Sequence, residues 1–304
     1  MLRRELLSLL MSLPIAACVV DRRSVNSRGP RLWLASRGEA RVFILGFGEA
    51  KDKSWLTPPI QQAFQESSQL WLENAGPGAA DNRDPAAKQA AAQRMQKLGQ
   101  ESGRSFFDAL EPQVRERAVA CIAEFGIARE SIETLRPWRA YYVINSAFWS
   151  KKKLSYEPVY ADAVLEEMAK SAGKSIGYEM PTGEAFVNFM AAMSDKAQSQ
   201  YIEWLLDFLD DDKKGLNDDV DETFGWITGK PLTSTRSLDR MRTKMPDLYQ
   251  VMQPQRNIWW AQKINELLSA KGTYFVGVGQ LHVLGPDGIP RQLKRLGVAV
   301  ELLP

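Results

Sequence analysis

Two kinds of hydrophobic spacing divide this chain: short β-branched runs near its two ends and long helical periodicities between them. Arg41-Val-Phe-Ile-Leu45 is β-branched and aromatic and stops at Gly46-Phe47-Gly48, the pattern of a buried strand entering a turn. Ordered structure is expected to begin near Leu32. Thr57-Pro58 predicts a helix start, with Thr at the N-cap and Pro at the first helical position, and that helix runs to about Ser67. Gln69 to Glu73 returns as a second strand, and the Gly-, Ala- and Asn-rich residues 74 to 83 predict a loop. Asp84-Pro85 caps an Ala/Gln-rich helix ending at Gly99, and others run from near Pro112 to Gly126, after Leu135-Arg136-Pro137-Trp138, and from Tyr160 to about Ala172. Ser175 to Glu179 is a short strand candidate. Ser194 caps the helix from Asp195 to about Leu209, where Ile202, Leu205, Leu206 and Leu209 form one apolar face. Helical spacing continues to about Leu268. Thr273-Tyr-Phe-Val-Gly-Val278 is the clearest strand, followed after Gly285-Pro-Asp-Gly288 by a helix ending at Gly297 and a last strand from Val298 to Leu302. The pattern predicts an α/β (α+β) fold, its sheet core assembled from N- and C-terminal strands with a large helical insertion between.

Composition narrows the class. With 304 residues, 44% of them apolar, the chain can bury one large core without covalent staples, so residues 32 to 304 are read as one domain. A net charge of +2 with 25% charged residues lacks the basic stripe of a nucleic-acid binder. Two cysteines exclude a disulfide framework. Cys121 falls at helical spacing with Val114, Ala118, Ile122 and Phe125, where a thiol behaves as a small hydrophobe. Cys18 differs: Arg3-Arg4, an apolar stretch from Leu6 to Ala17 and the ending Ile15-Ala-Ala-Cys18 predict a signal peptide over residues 1 to 17. That ending resembles a lipobox with Cys18 lipidated, and residues 19 to 31 read as a tether. The expected location is therefore periplasmic or lipid-anchored, with membrane contact only through that anchor. A cytoplasmic protein with an amphipathic N-terminus is the alternative, since Glu5, Ser8 and Ser12 interrupt the leader pattern.

Candidate chemistry gathers at strand ends. His282 is the only histidine and follows the turn Gly277-Val-Gly-Gln-Leu281 that leaves the clearest strand. α/β proteins place ligands at such C-terminal strand ends, whereas a histidine elsewhere reads first as a core residue. The first strand ends similarly, at Gly46-Phe-Gly-Glu49, and the second at Glu73. Each glutamate taken singly reads as a surface residue. Their repeated placement favours a site in which Glu49, Glu73 and His282 supply oxygen and nitrogen ligands to a divalent ion. Other templates fail: there is no Gly-x-Ser-x-Gly elbow, Walker loop or His-Glu-x-x-His helix, and Gly277-x-Gly279 lacks the third glycine of a dinucleotide loop. Asp210 to Asp221 brushes an EF-hand pattern, but Lys214 falls among the ligand positions, so the segment reads as a solvated turn. The nine tryptophans read as helix packing, with a peptide or glycan groove at Trp259 as the alternative.

Across residues 32 to 304 the chain resembles the TraB/GumN family. The carriers are Gly46 with its polar fourth position, Leu72-Glu73, Pro137-Trp138, Gly173-Lys174 through Tyr178-Glu179, Trp226-Ile-Thr-Gly-Lys-Pro-Leu232, Arg256-Asn257 and Tyr274 through Gly288. The resemblance implies a fold similar to erythromycin esterases and ChaN-like proteins. For some members it implies a divalent-metal-dependent peptidase site built from two Gly-x-x-His motifs and a glutamate. His282 matches the second motif and Glu73 the glutamate, while Arg256 and Asn257 match a polar pair before the last strands; Glu49 stands where the first histidine belongs. A site of Glu49, Glu73 and His282 suits Mn²⁺ or a similar ion (Co²⁺ or Zn²⁺). In that site Glu73 or Glu49 accepts a proton from water and Arg256 holds a carboxylate or an oxyanion of a peptide or other small polar substrate. A plain helix-surface pair is the alternative for Arg256-Asn257. The alternative for the whole is a non-catalytic binding or sequestering relative that has lost one metal-ligand histidine.

Overall fold

A computed structural model describes residues 29–74, 85–152, 159–215, 225–230 and 232–304. The leader, Cys18, most of the tether, the loop after Asn74, the Asp84 cap and Asp221 lie outside the described residues. Six strands make one sheet: β1 (Leu32–Arg37), β2 (Ala40–Phe47), β4 (Gln69–Asn74), β6 (Ser175–Met180), β7 (Thr273–Gly279) and β8 (Ala299–Leu302), in the order β6-β4-β7-β2-β1-β8. The pairs β2–β7, β7–β4 and β4–β6 are parallel, while β1 is antiparallel to both its neighbours. Strands from the two ends of the chain thus interleave, as their apolar runs predict, and β2, β4, β6 and β7 finish on one edge of the sheet. Two short strands, β3 (Glu49–Ala50) and β5 (Val159–Tyr160), pair beyond that edge.

Alternation along the strands builds two cores. Val42, Ile44, Val276 and Val278 face one layer, with Trp260 and Ile264 of the helix Arg256–Ser269 packed on them. Phe43, Leu45, Leu70, Leu72 and Phe275 face the other, covered by α1 (Pro58–Glu66) and α6 (Ala161–Ser171). The insertion adds α2 (Pro85–Leu98), α3 (Pro112–Phe125), α4 (Arg129–Glu133), α5 (Pro137–Lys151), α7 (Gly183–Ala191) and α8 (Asp195–Lys213), with α9 (Leu232–Lys244) and α10 (Pro246–Gln250) after it. A third core lies among α3, α5 and α8, built on Ala118, Ile122, Ile144, Ile202 and Leu205. Cys121 sits there as expected, its thiol pushed up to about 11 by burial and the nearby Glu124. The helix Arg256–Ser269 is α11, and α12 (Ile289–Arg295) precedes the last strand.

Local signals account for most boundaries. Ser194 accepts from the Ala197 N–H, capping α8, and Gly126 ends α3 in the left-handed conformation. Thr57 occupies the N-cap position of α1 without a side-chain bond, leaving Pro58 as the start signal. The structure differs in several places, among them the short β3–β5 pair, which takes Tyr160 out of the following helix. β1 is a full strand, because pairing with β2 and β8 supplies what its short run of alternation does not declare. α8 extends to Lys213, so Asp210 to Asp212 are helical and no ion-binding loop starts there. A wide π-helical turn, Val251–Gln255, carries Pro254 and joins α10 to α11.

Gly46 lets the end of β2 pack tightly against the 3₁₀ turn Gln280–Val283. A β-carbon at this position would lie 2.4 Å from Val283 Cγ2 and 3.2 Å from Gln280 Cα, both within that turn. Val283 is stiff at χ1 and cannot swing away. Gly46→Ala is therefore expected to cost about 1–3 kcal/mol in urea denaturation, with Val283→Ala in the same chain recovering part of it. Simple additivity of the two substitutions would remove this account.

Candidate functional site

β4 and β6 are parallel and in register, Leu72 beside Tyr178 and Asn74 beside Met180, so Glu73 and Glu179 project side by side from one face. Arg256, the first residue of α11, lies between them. Its Nε donates to Glu179 Oε1 (2.9 Å), and its Nη2 donates to Glu179 Oε2 (2.6 Å) and Glu73 Oε2 (2.9 Å). Trp260, one turn along α11, adds its indole N–H to Glu179 Oε2 at 2.9 Å. The second Glu73 oxygen accepts the backbone N–H of Gly279 at the end of β7. Burial pushes the Glu73 carboxyl up, but His282, Arg256 and the Gly279 N–H together outweigh it and hold the group well below the usual carboxylate range. Burial likewise works against charge on Arg256, and the two carboxylates overcome it, raising its pKa.

His282 arrives on the 3₁₀ turn that follows β7 and is buried, with its side chain 5% exposed. Its Nδ1 lies 2.6 Å from Asn257 Oδ1. Asn257, also buried, donates its Nδ2 to the Asp287 carbonyl at 2.9 Å. A carbonyl only accepts, so the Asn257 amide is oriented with its oxygen toward the imidazole, and Nδ1 must carry the proton. Nε2 lies 3.6 Å from Glu73 Oε2, too far for a direct hydrogen bond.

The structure thus brings together four of the residues expected from sequence: Glu73, Arg256, Asn257 and His282. Arg256, partly buried, and Asn257, buried, are a connecting pair, one holding carboxylates and the other orienting the histidine, and not a surface pair. Glu49 has its backbone in β3, paired with Tyr160, and its side chain lies outside the described residues. Among the described residues no group of three His, Cys, Asp or Glu side chains is placed to hold a metal ion. Glu179 joins the centre although sequence reasoning gave it no role; it ends its strand as Glu73 does, and that repetition was the available signal. A cavity of about 200 Å³ opens beside the centre, with Glu73, Arg256, His282 and Trp204 among the residues that line it. Trp259 packs edge-on against Trp260 and is not in that wall.

The model of the TraB/PrgY/gumN family matches residues 31–302, nearly the whole chain. The chain belongs to this family. Comparison with curated proteins and with solved structures returns no match. The family assignment agrees with the sequence resemblance, and the residues carrying that resemblance converge here: Glu73, Glu179, Arg256, Asn257 and His282 all meet at one sheet edge. Among the described residues no helix is long and apolar enough to cross a membrane.

Removing the guanidinium would leave two neighbouring, partly buried carboxylates uncompensated. Arg256→Ala is expected to lower stability by about 3–5 kcal/mol in denaturant titration. Arg256→Lys should recover only part, because an ammonium cannot span both carboxylates as the planar fork does. Because folding depresses the Glu73 pKa, its contribution is complete above the ordinary value of 4.5 and is lost as pH falls through the folded value. As pH falls from that ordinary value toward the folded one, the wild-type chain should lose stability more steeply than Glu73→Gln; equal slopes would contradict the assignment.

Proposed function

We propose that this family member is a metal-dependent hydrolase acting on a peptide or similar small polar substrate, with Glu73 and His282 at its centre. The observation that carries the reading is the facing of two acceptors. With Nδ1 protonated, the Nε2 lone pair and the ionised Glu73 oxygen look at each other across 3.6 Å. Such a pair needs a positive charge between its members, either a proton on Nε2 or a divalent ion. Two ligands bound at about 2.1 Å in tetrahedral arrangement lie roughly 3.4 Å apart, close to this separation. The donor set fits an ion of the Mn²⁺, Co²⁺ or Zn²⁺ type, held by Glu73 and His282 with Glu49 as the expected third ligand. When bound, such an ion supplies Lewis acidity, polarising a carbonyl and making water a nucleophile at neutral pH.

This chain's own residues do the positioning. Asn257 holds the tautomer that leaves Nε2 free, as the outer partner of a metal-ligating histidine does. Arg256 and the Gly279 N–H keep Glu73 ionised, so that it can ligate or accept a proton. The cavity gives a substrate access to both.

A second reading has its own support. Arg256 already neutralises part of the carboxylate charge, and the described side chains provide two donors and not three. In that reading His282 carries a second proton and the chain is a binding or sequestering relative without hydrolytic chemistry. Metal analysis of the purified chain after loading with Mn²⁺, Co²⁺ or Zn²⁺ separates the two. One ion per chain is expected, lost in His282→Ala and Glu73→Gln and bound about 10–100-fold more weakly in Asn257→Leu. A folded wild-type chain that takes up none of the three ions leaves the binding protein as the function.

The leader pattern supports export and lipid anchoring at Cys18 as part of the same proposal. Mass analysis of the protein expressed in a bacterium is expected to show a chain starting at Cys18 with added acyl mass. A mature chain still carrying residues 1–17 would support the cytoplasmic alternative.

A further inference from the structure

The turn Gly285-Pro-Asp-Gly288 enters the site only through one carbonyl, yet four side chains converge on its aspartate. Asp287 Oδ2 accepts the Tyr249 hydroxyl at 2.9 Å, and its Oδ1 lies 3.4 Å from Arg295 Nη1. The Asp287 carbonyl accepts Asn257 Nδ2 at 2.9 Å and, more weakly, Gln292 Nε2 at 3.4 Å. One residue thereby joins α10, α11 and α12. Glycine permits this at both ends of the turn. Gly285 is left-handed at φ +70°, and a β-carbon on Gly288 would lie 2.5 Å from the Leu284 carbonyl oxygen.

The two groups that hold the Asp287 carboxylate differ in shelter. Tyr249 is 7% exposed, and burial together with that carboxylate pushes its hydroxyl up to about 12, so it stays a donor. The Arg295 side chain is 57% exposed, and an exposed pair of this kind holds little. What Tyr249 holds matters at His282. A carbonyl facing Asn257 Nδ2 turns the Asn257 oxygen toward Nδ1, 2.6 Å away. An amide released from that carbonyl is free to turn over and offer Nδ1 an N–H instead. The two amide orientations demand opposite imidazole tautomers.

We propose that Asp287 and Tyr249 are positioning residues for His282. The Tyr249 hydroxyl holds the turn, the Asp287 carbonyl orients the Asn257 amide, and that amide keeps a proton on Nδ1. Both residues act through Asn257 and not on the reacting atoms. Their value to the chain rests on the reading of Nε2 as the working nitrogen, but the arrangement itself stands or falls without a metal.

His282 is the only histidine, so isotope-labelled histidine reports its tautomer alone in proton–nitrogen correlation spectra. The spectra are taken on the full chain, metal-free, at about pH 9, where imidazoles are ordinarily neutral. Wild type is expected to show the Nδ1–H tautomer in excess. Tyr249→Phe, which removes one hydroxyl, should lower the ratio of Nδ1–H to Nε2–H about five-fold, the effect of one net hydrogen bond. Asp287→Ala should lower it at least as far, and Asp287→Asn, which still accepts from Tyr249, should restore most of it. Gly126→Ala, strained at the left-handed end of α3, controls for lost stability elsewhere and should leave the ratio unchanged. An Nε2–H ring in the wild-type chain, or a ratio that Tyr249→Phe does not move, would overturn the proposal. So would an equal drop in Gly126→Ala, which would reduce the effect to general loosening. Should Asp287→Ala not fold, Tyr249→Phe and Asp287→Asn decide the matter. Metal uptake is read separately. A chain that takes up no metal yet shows these ratios keeps the positioning and loses only the hydrolase reading.

Discussion

One guanidinium organises the site of this protein. Parallel pairing of β4 and β6 brings Glu73 and Glu179 onto the same face of adjacent strands, at a spacing of about 5 Å. At an effective dielectric near 20, two charges so placed repel by about 3 kcal/mol. Arg256 removes that cost by donating to both at once, and in doing so it ties the start of α11 to two strand ends. Everything else at the sheet edge is arranged from this point. Trp260 reaches Glu179 from the next turn of the same helix, and Asn257, the next residue, reaches His282.

The consequence is a histidine held in one tautomer by a chain of directed bonds, from the Asp287 carbonyl through Asn257 to Nδ1. Asp287 is itself fixed, its carboxylate accepting from Tyr249 and facing Arg295. The free nitrogen and the ionised Glu73 oxygen then form an acceptor pair that is completed by a positive charge. The cavity beside the pair is lined both by residues at the strand ends, among them Glu73 and Gly279, and by residues of the helices, among them Tyr201, Trp204 and Met241.

Much of the fold was legible in the chain. The β-branched runs at Arg41–Leu45 and Thr273–Val278, the Ser194 cap and the Gly126 stop each act over a few residues, and each appears where local physics puts it. β1 was not legible as a strand, because its pairing partners, β2 and β8, make it one and its own short pattern does not. At the site, His282 and Glu73 were visible through one rule, that polar residues ending buried strands face a common edge. Glu179 obeys the same rule, yet it entered only as part of the family resemblance and was given no place at the site.

By itself, then, the sequence determined which segments become strands and helices, that the two chain ends build one sheet, and which family pattern the residues follow. These depend on local periodicity, caps and turns, which act within a few residues. Only the tertiary structure decided that Arg256 bridges two carboxylates and that Asn257 serves the histidine. Those facts rest on register between strands about a hundred residues apart and on the angle at which α11 meets them, and no local pattern carries that information.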